Sequence, residues 1–321
     1  MAKNPKYDPT DPAIVPRFSD IATLLRTKRL EATEEVDIGL CGVPFDLAVN
    51  YRAGQRSGPA AVREASRLIR RCHPTSGIAP FDIANICDIG DCLINPMNKE
   101  KSIDQIEAYF DGLMEKGITP IAIGGDHTIP LPILRALKKK YGKMGILHVD
   151  AHADVLDTIC GDKINHATFM RRAMEEGILD PERVIQIGMR GSRFEPEDFT
   201  YSLESGYTVI TMDDYEEMGR KAAIEKIVTT LGDGPIYISI DIDGLDPAYM
   251  PGTGVPELGG IIPRDMQVIL RALQGKEIVG ADICEYAPAL DPTGITGVGI
   301  ANLAFEILCI TADSLQKYGR L

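Results

Sequence analysis

Three short segments concentrate side chains able to hold metal ions: Gly124-Gly-Asp-His127, His148-Val-Asp-Ala-His-Ala-Asp154 and Ser239-Ile-Asp-Ile-Asp-Gly-Leu-Asp-Pro247. Each follows an apolar run: Ile121-Ala-Ile123, Gly145-Ile-Leu147 and Ile236-Tyr-Ile-Ser-Ile240. Along an extended backbone alternate residues share a face, which aims Asp150, His152 and Asp154 one way and pairs Asp241 with Asp243. With His127 added, six oxygen and nitrogen donors converge, enough for two divalent ions sharing bridging carboxylates. Such donors suit Mn²⁺, Ni²⁺, Co²⁺ or Zn²⁺. Four aspartates match the charge of two dications. Two metals about 3.5–4 Å apart lower the pKa of bound water towards ~7, giving a nucleophile at neutral pH. The chemistry is metal-dependent hydrolysis, and a slightly negative centre favours a cationic substrate. A lone Asp-x-Asp at a strand end is more often only a turn or a helix cap, but that does not account for all six donors at matching positions.

Other residues fall beside these segments. His166, in Asn165-His-Ala-Thr168, follows by a loop, where a histidine can pass a proton to a leaving amine. Its plain alternative is a helix cap or a surface residue. Glu285, in Asp282-Ile-Cys-Glu-Tyr-Ala-Pro288, ends an apolar strand, where a carboxylate can clamp a planar guanidinium through paired hydrogen bonds. The alternative is an exposed strand-end glutamate. Asp126 reads as a residue that orients the loop or a ligand. His148 reads as a satisfied core histidine, and His73, in Arg71-Cys-His-Pro74, as a loop or surface residue.

The elements that must position these groups alternate along the chain. Candidate strands are 36–42, 83–88, 119–123, 145–149, 183–188, 207–210, 236–240 and 277–283. Candidate helices are 59–71, 102–116, 130–140, 166–177, 215–231, 263–274 and 301–318. Alternation of this kind predicts an α/β fold of three layers, α/β/α, around a mainly parallel central sheet. Strands from 119 onward are nearly continuous apolar runs, as in strands buried on both faces. Ligands in such folds bind beyond the carboxyl ends of strands, where all three donor segments lie. No composition break divides the chain, so the organisation expected is an N-terminal arm over 1–35 and a single catalytic domain over 36–321. The polar, proline-rich opening from Met1 to Thr10 predicts a loosely held stretch.

Composition narrows the partners. The chain has 321 residues, 44% hydrophobic and 25% charged, with a net charge of −13. That acidity argues against nucleic acid and against an anionic membrane face. No N-terminal apolar stretch is long enough for a secretory signal or a membrane span. Seven cysteines without a CxxC pair read as free, mostly buried thiols and a cytoplasmic setting.

The three metal-donor segments resemble the signature motifs of the ureohydrolases, the arginase and agmatinase family. The likeness runs from about Asp37 to Cys309 and includes Gly42-Val-Pro-Phe-Asp46, Gly54-Gln-Arg-Ser-Gly-Pro59, Gln186-Ile-Gly-Met-Arg-Gly191 and Pro251-Gly-Thr-Gly254. The stretch from Glu277 to Cys309 is most similar to the agmatinase and guanidinobutyrase branch. The resemblance implies an arginase-like fold and a dinuclear centre, Mn²⁺ or at times Ni²⁺. His127, Asp150, Asp154 and Asp241 would hold one ion; Asp150, His152, Asp241 and Asp243 would hold the other. It implies water attack on a guanidinium carbon, with release of urea, or a urea derivative, and an amine. His166, Glu285 and Asp154 are then the catalytic candidates; Glu285, Leu156 and His166 are the substrate-binding ones. A homotrimer or homohexamer is implied, and a hetero-oligomer with a paralogous subunit is an alternative.

The sequence departs from the family around the substrate. Relatives usually carry Asn two residues after the third donor, where this chain has Leu156; the common His-Gly-Thr stretch has become His166-Ala-Thr168; and Val49-Asn-Tyr-Arg52 replaces Thr-Thr-Asn-Arg. If Leu156 lines the pocket, it favours a less polar substituent, such as an N-alkylated guanidine (dimethylguanidine) or a biguanide (metformin). If it faces away, another loop reads the tail. Two competing functions are a one-zinc deacetylase, disfavoured by retention of all six donors, and a non-catalytic partner subunit of an active enzyme.

Overall fold

β-Branched and leucine-rich runs become strands that are buried on both faces. The computed structural model describes residues 4–195 and 198–321. Its strands are β1 (Lys28–Arg29), β2 (Ile38–Val43), β3 (Ile86–Asp91), β4 (Thr119–Gly124), β5 (Met144–Val149), β6 (Leu179–Met189), β7 (Thr208–Thr211), β8 (Pro235–Asp241) and β9 (Glu277–Cys284). They form one sheet in the order β1-β3-β2-β4-β9-β8-β5-β6-β7. Every pairing is parallel. Its helices are α1 (Gly58–Ala65), α2 (Pro80–Ile83), α3 (Lys99–Glu115), α4 (Pro130–Tyr141), α5 (Phe169–Glu175), α6 (Thr200–Glu204), α7 (Met212–Leu231), α8 (Pro263–Arg271) and α9 (Ile295–Lys317).

Successive strand residues point to opposite layers, as the pleat requires. Ile121, Ile123, Leu147 and Val149 pack with Val62 of α1, Ile227 of α7, Ile269 of α8 and Leu308 of α9. Ala122, Met144 and Ile146 pack on the other side with Ile106 of α3, Leu134 of α4 and Met170 of α5. The three-layer α/β/α arrangement follows. α9 is long and apolar enough to cross a membrane by composition, but 78% of its apolar window is buried inside the fold, so it is a core helix.

Helix ends follow local chemistry. Asn98 accepts a hydrogen bond from the Lys101 amide at the start of α3, and Thr211 with Asp214 closes a capping box on α7.

Several expectations need correction. β1 was not foreseen, because an exposed Lys-Arg pair carries no strand pattern; it is fixed only by pairing with β3. The last helix begins at Ile295 rather than 301, and helix 166–177 is confined to Phe169–Glu175. The opening is not loose where it is described: Tyr7 is 2% exposed, and Arg26 donates to Thr10 O and Val15 O. Residues 1–3 lie outside the described residues. His73 is no surface residue. It is 3% exposed, its Nε2 is 2.9 Å from Glu306 Oε2, and its Nδ1 accepts from the amides of Thr75 and Ser76. Arg271 also holds Glu306, through Nε at 3.0 Å. The partner lies on α9, far along the chain, where sequence proximity gives no hint.

Candidate metal centre

The carboxyl ends of β4, β9, β8 and β5 are consecutive in the sheet, so the segments that follow them meet. His127 leaves β4 through Gly124-Gly125. A Cβ on Gly125 would stand 2.0 Å from Phe45 O, so only glycine lets the two backbones cross. His127 Nδ1 is 3.0 Å from Asp150 Oδ2, 2.9 Å from Asp154 Oδ2 and 3.4 Å from Asp241 Oδ2. Its Nε2 faces Ser239 Oγ at 3.0 Å, and that hydroxyl donates to Asp282 Oδ1 at 2.9 Å. His152 Nδ1 is 3.3 Å from both Asp150 Oδ1 and Asp243 Oδ2. Asp150 therefore presents one oxygen to each histidine. Among the described residues three donor groups have ligand atoms close enough for an ion: His127, His148, Asp150 and Asp154; Asp150, His152 and Asp243; and His127, Asp282 and Cys284.

The route to this convergence differs from the extended-strand expectation. β5 stops at Val149, and Asp154 adopts a left-handed backbone with φ 54°. β8 stops at Asp241, whose Oδ1 caps the Asp243 amide at 2.9 Å in a 3₁₀ turn over Ile242–Gly244. Turns bring these donors together, where alternation was expected to do so.

The electrostatics demand cations. Asp150, Asp154, Asp241 and Asp243 are all at most 6% exposed. Burial and the Asp150 charge push Asp154 up to about 7, and burial with the Asp243 charge raises Asp241 well above the carboxylate range. Asp150 is also pushed up by burial, but hydrogen bonds from His127, His148 and His152 outweigh this and hold it low. Burial lowers His152, yet the Asp243 charge and Asp150 take it up to about 12. Asp154 Oδ2, although close to His127, lies off the hydrogen-bonding direction and is buried without a partner. Buried carboxylates left to protons and imidazolium for neutralisation, one oxygen orphaned, fit two divalent ions. Arg190 does not fill that need: its N–H groups are spent on the carbonyls of Gly188, Asp243, Gly244, Leu245 and Glu257.

Glu285 follows β9 with φ 68° and is 2% exposed, so it is no exposed strand end. Two left-handed non-glycine residues in one site, each costing about 1–3 kcal/mol, are strain held by surrounding contacts. Glu285 Oε1 accepts from the His127 amide at 2.8 Å, and Oε2 accepts from Gln55 Nε2 at 2.7 Å. His166 Nδ1 is 3.5 Å from Oε1, and its Nε2 is 3.0 Å from Asn50 Oδ1. Burial lowers His166, but Glu285 outweighs it and takes the imidazole up to about 9. Asp126 orients its loop as expected, accepting from the amides of Ala48 and Thr128.

A cleft of about 270 Å³ opens over these groups; His152, Asp154, His166, Asp241, Asp243 and Glu285 all line it. Leu156 lines it too, alongside Val155, Ile159, Val255, Phe194 and Phe199. Sequence reasoning missed Gln55, Asn50 and the Ser239–Asp282 link, and it gave His148 too plain a part. His148 is a buried core residue, but its Nε2 is 3.1 Å from the donor Asp150. Strand register was the missing signal: Ser239 stands opposite Asp282 across β8 and β9.

The sequence model of the arginase family matches residues 36–309. The chain is 44% identical over 306 residues to guanidinobutyrase of Pseudomonas aeruginosa, covering 94% of this chain and 96% of that protein. It is 41% identical over 315 residues to guanidinopropionase of the same organism, covering 98% and 99%. Of solved structures, proclavaminate amidinohydrolase from Streptomyces clavuligerus aligns with a TM-score of 0.90 at 33% identity, over 93% of this chain and 99% of that one.

Proposed function

The chain belongs to the arginase family of amidinohydrolases, and from that premise we propose that it hydrolyses a C–N bond of a small guanidino compound, releasing urea or a urea derivative and an amine. The observation that carries this reading is Asp150 set between two histidines, with His166 and Glu285 lining the same cleft. We assign His127, Asp150, Asp154 and Asp241 to one ion and Asp150, His152, Asp241 and Asp243 to the other, Mn²⁺ first and Ni²⁺ second. Bound there, such ions supply Lewis acidity that makes water a nucleophile at neutral pH.

The chain's own residues do the rest. Glu285, its carboxylate fixed by Gln55 and the His127 amide, accepts N–H bonds from the guanidinium and turns its planar carbon towards the aspartates. As the O–C bond forms, the Asp154 carboxylate, which lines the cleft, takes the proton that water loses. His166, charged at neutral pH beside Glu285, gives a proton to the departing nitrogen as the C–N bond breaks. Guanidinobutyrate, guanidinopropionate and agmatine are the substrates this family reading favours. A second reading, N-alkylated guanidines or biguanides releasing dimethylamine, is favoured by Leu156 in the apolar wall.

The setting proposed is cytoplasmic, consistent with seven unpaired cysteines. The assembly proposed is a homotrimer or homohexamer, which would cover the exposed Ile14, Phe18 and Ile21. The deciding experiment assays Mn²⁺- and Ni²⁺-loaded protein against agmatine, arginine, 4-guanidinobutyrate, 3-guanidinopropionate, dimethylguanidine and metformin. Turnover of none of them by protein holding two ions per chain would overturn the assignment; activity gained only with a second chain would make this one a partner subunit.

A further inference from the structure

His148 and Gln186 stand opposite each other in the register of β5 and β6, both fully buried beside the cluster. Gln186 Nε2 lies 2.7 Å from Ala153 O and 2.9 Å from His148 Nδ1. A carbonyl oxygen only accepts, so the amide atom facing Ala153 is the nitrogen, and its second N–H is directed at His148 Nδ1. The opposite amide orientation would set two oxygens 2.7 Å apart. The glutamine's own oxygen is buried without a partner, so these two N–H bonds alone set the amide. A ring nitrogen that accepts carries no proton, which puts the imidazole proton on Nε2. That nitrogen is 3.1 Å from Asp150 Oδ2.

We propose that Gln186 and His148 are positioning residues, acting through a fixed imidazole tautomer to set the rotation of Asp150 so that it offers one oxygen to each metal position. The opposing constraint lies on the other oxygen: Asp150 Oδ1 accepts from the His152 amide at 2.6 Å. Each carboxylate oxygen thus takes one N–H bond from outside the metal positions. Oδ2 keeps its remaining lone pair beside His127, and Oδ1 keeps its own beside the His152 ring. Without Gln186 the imidazole is free to carry its proton on Nδ1, which would turn a bare lone pair on Asp150 Oδ2, the oxygen offered beside His127. The proposal rests on the reading of Asp150 as the bridging carboxylate.

The test measures Mn²⁺ binding by equilibrium dialysis against a competing chelator for wild type, Gln186→Met, His148→Phe and His148→Gln. Gln186→Met and His148→Phe are expected to weaken binding about 10–100-fold, the effect usual for partners behind a metal ligand. His148→Gln, which keeps an N–H at a similar reach, is expected to recover most of it. Unchanged affinity in folded Gln186→Met and His148→Phe overturns the positioning role while leaving the metal site intact. A wild type that binds fewer than two ions overturns the site itself, and the proposal with it. Should a variant fail to fold, ¹⁵N-histidine NMR of the Zn²⁺-loaded wild type decides the matter. A neutral Nε2–H imidazole for His148 supports the proposal; an Nδ1–H form or an imidazolium overturns it.

Discussion

Leu156→Asn exchanges one wall of the cleft with little disturbance elsewhere. The backbone there is pinned independently of the side chain: the Leu156 amide donates to Ala167 O at 3.1 Å, and Asp154 O accepts from the Met170 amide at 3.2 Å. The two side chains are close in size, so the change is chiefly one of polarity. A long polar tail, such as the carboxylate of 4-guanidinobutyrate, gains a hydrogen-bond donor where it now meets a methyl group. Satisfying such a group is worth about 1–3 kcal/mol, roughly 5- to 150-fold in kcat/KM. An alkylated guanidine loses apolar contact worth about 0.8 kcal/mol for each CH₂-sized group no longer covered. Both effects move the ratio of kcat/KM for 4-guanidinobutyrate over dimethylguanidine upward, by at least tenfold. The assay follows amine and urea release from both substrates with wild type and variant, each shown to hold two ions. A ratio within twofold of wild type would mean that Leu156 does not read the substrate, whatever its place in the wall.

Other perturbations give separate readouts. His166→Asn should lower kcat by about 10²–10⁴-fold with little change in KM, as steady-state kinetics would show; an equal fall for every step would point to misfolding instead. In the metal-free chain, His166 is raised from its usual 6.5 to about 9 beside Glu285, so their pairing stabilises the fold fully below about 6.5 and is lost as pH rises through about 9. Denaturant titrations of metal-free protein should show that decline in wild type and a flatter profile in His166→Asn. Stripping the metals with a chelator should abolish activity and lower the unfolding midpoint, and Mn²⁺ at about 100 times its Kd should return about 2.7 kcal/mol per site. Glu306→Leu leaves Arg271 and His73 without their shared carboxylate, for a loss of about 3 kcal/mol, at the low end for a buried pair because Arg271 is partly exposed.

The metal donors were legible because their spacing sits directly after apolar runs, and strand ends are where an α/β sheet places chemistry. The six donors meet, although through a left-handed Asp154 and a 3₁₀ turn after Asp241, which no alternation rule predicts. Strands β4, β5, β8 and β9 were all found within a few residues, since buried parallel strands write themselves as unbroken hydrophobic runs. Contacts between distant segments were not legible. Gln55 reaches Glu285 and His73 reaches Glu306 across more than two hundred residues, and His148 takes its significance from Gln186 on the neighbouring strand. Residue types at those positions are ordinary; only the pairing of strands and helices gives them a part.

The strand order has a further bearing on how the protein is made. β4 and β5 are neighbours in the chain, yet β9 and β8 lie between them in the sheet. A nascent chain that ends before Pro235 holds two half-sheets with bare inner edges, and such edges recruit other chains. The segment from Pro235 onward must be threaded into that gap, bringing Asp241, Asp243 and Glu285 with it. Cation capture is thereby coupled to the final act of assembly, and a ribosome-bound fragment should be both metal-poor and in need of chaperone cover.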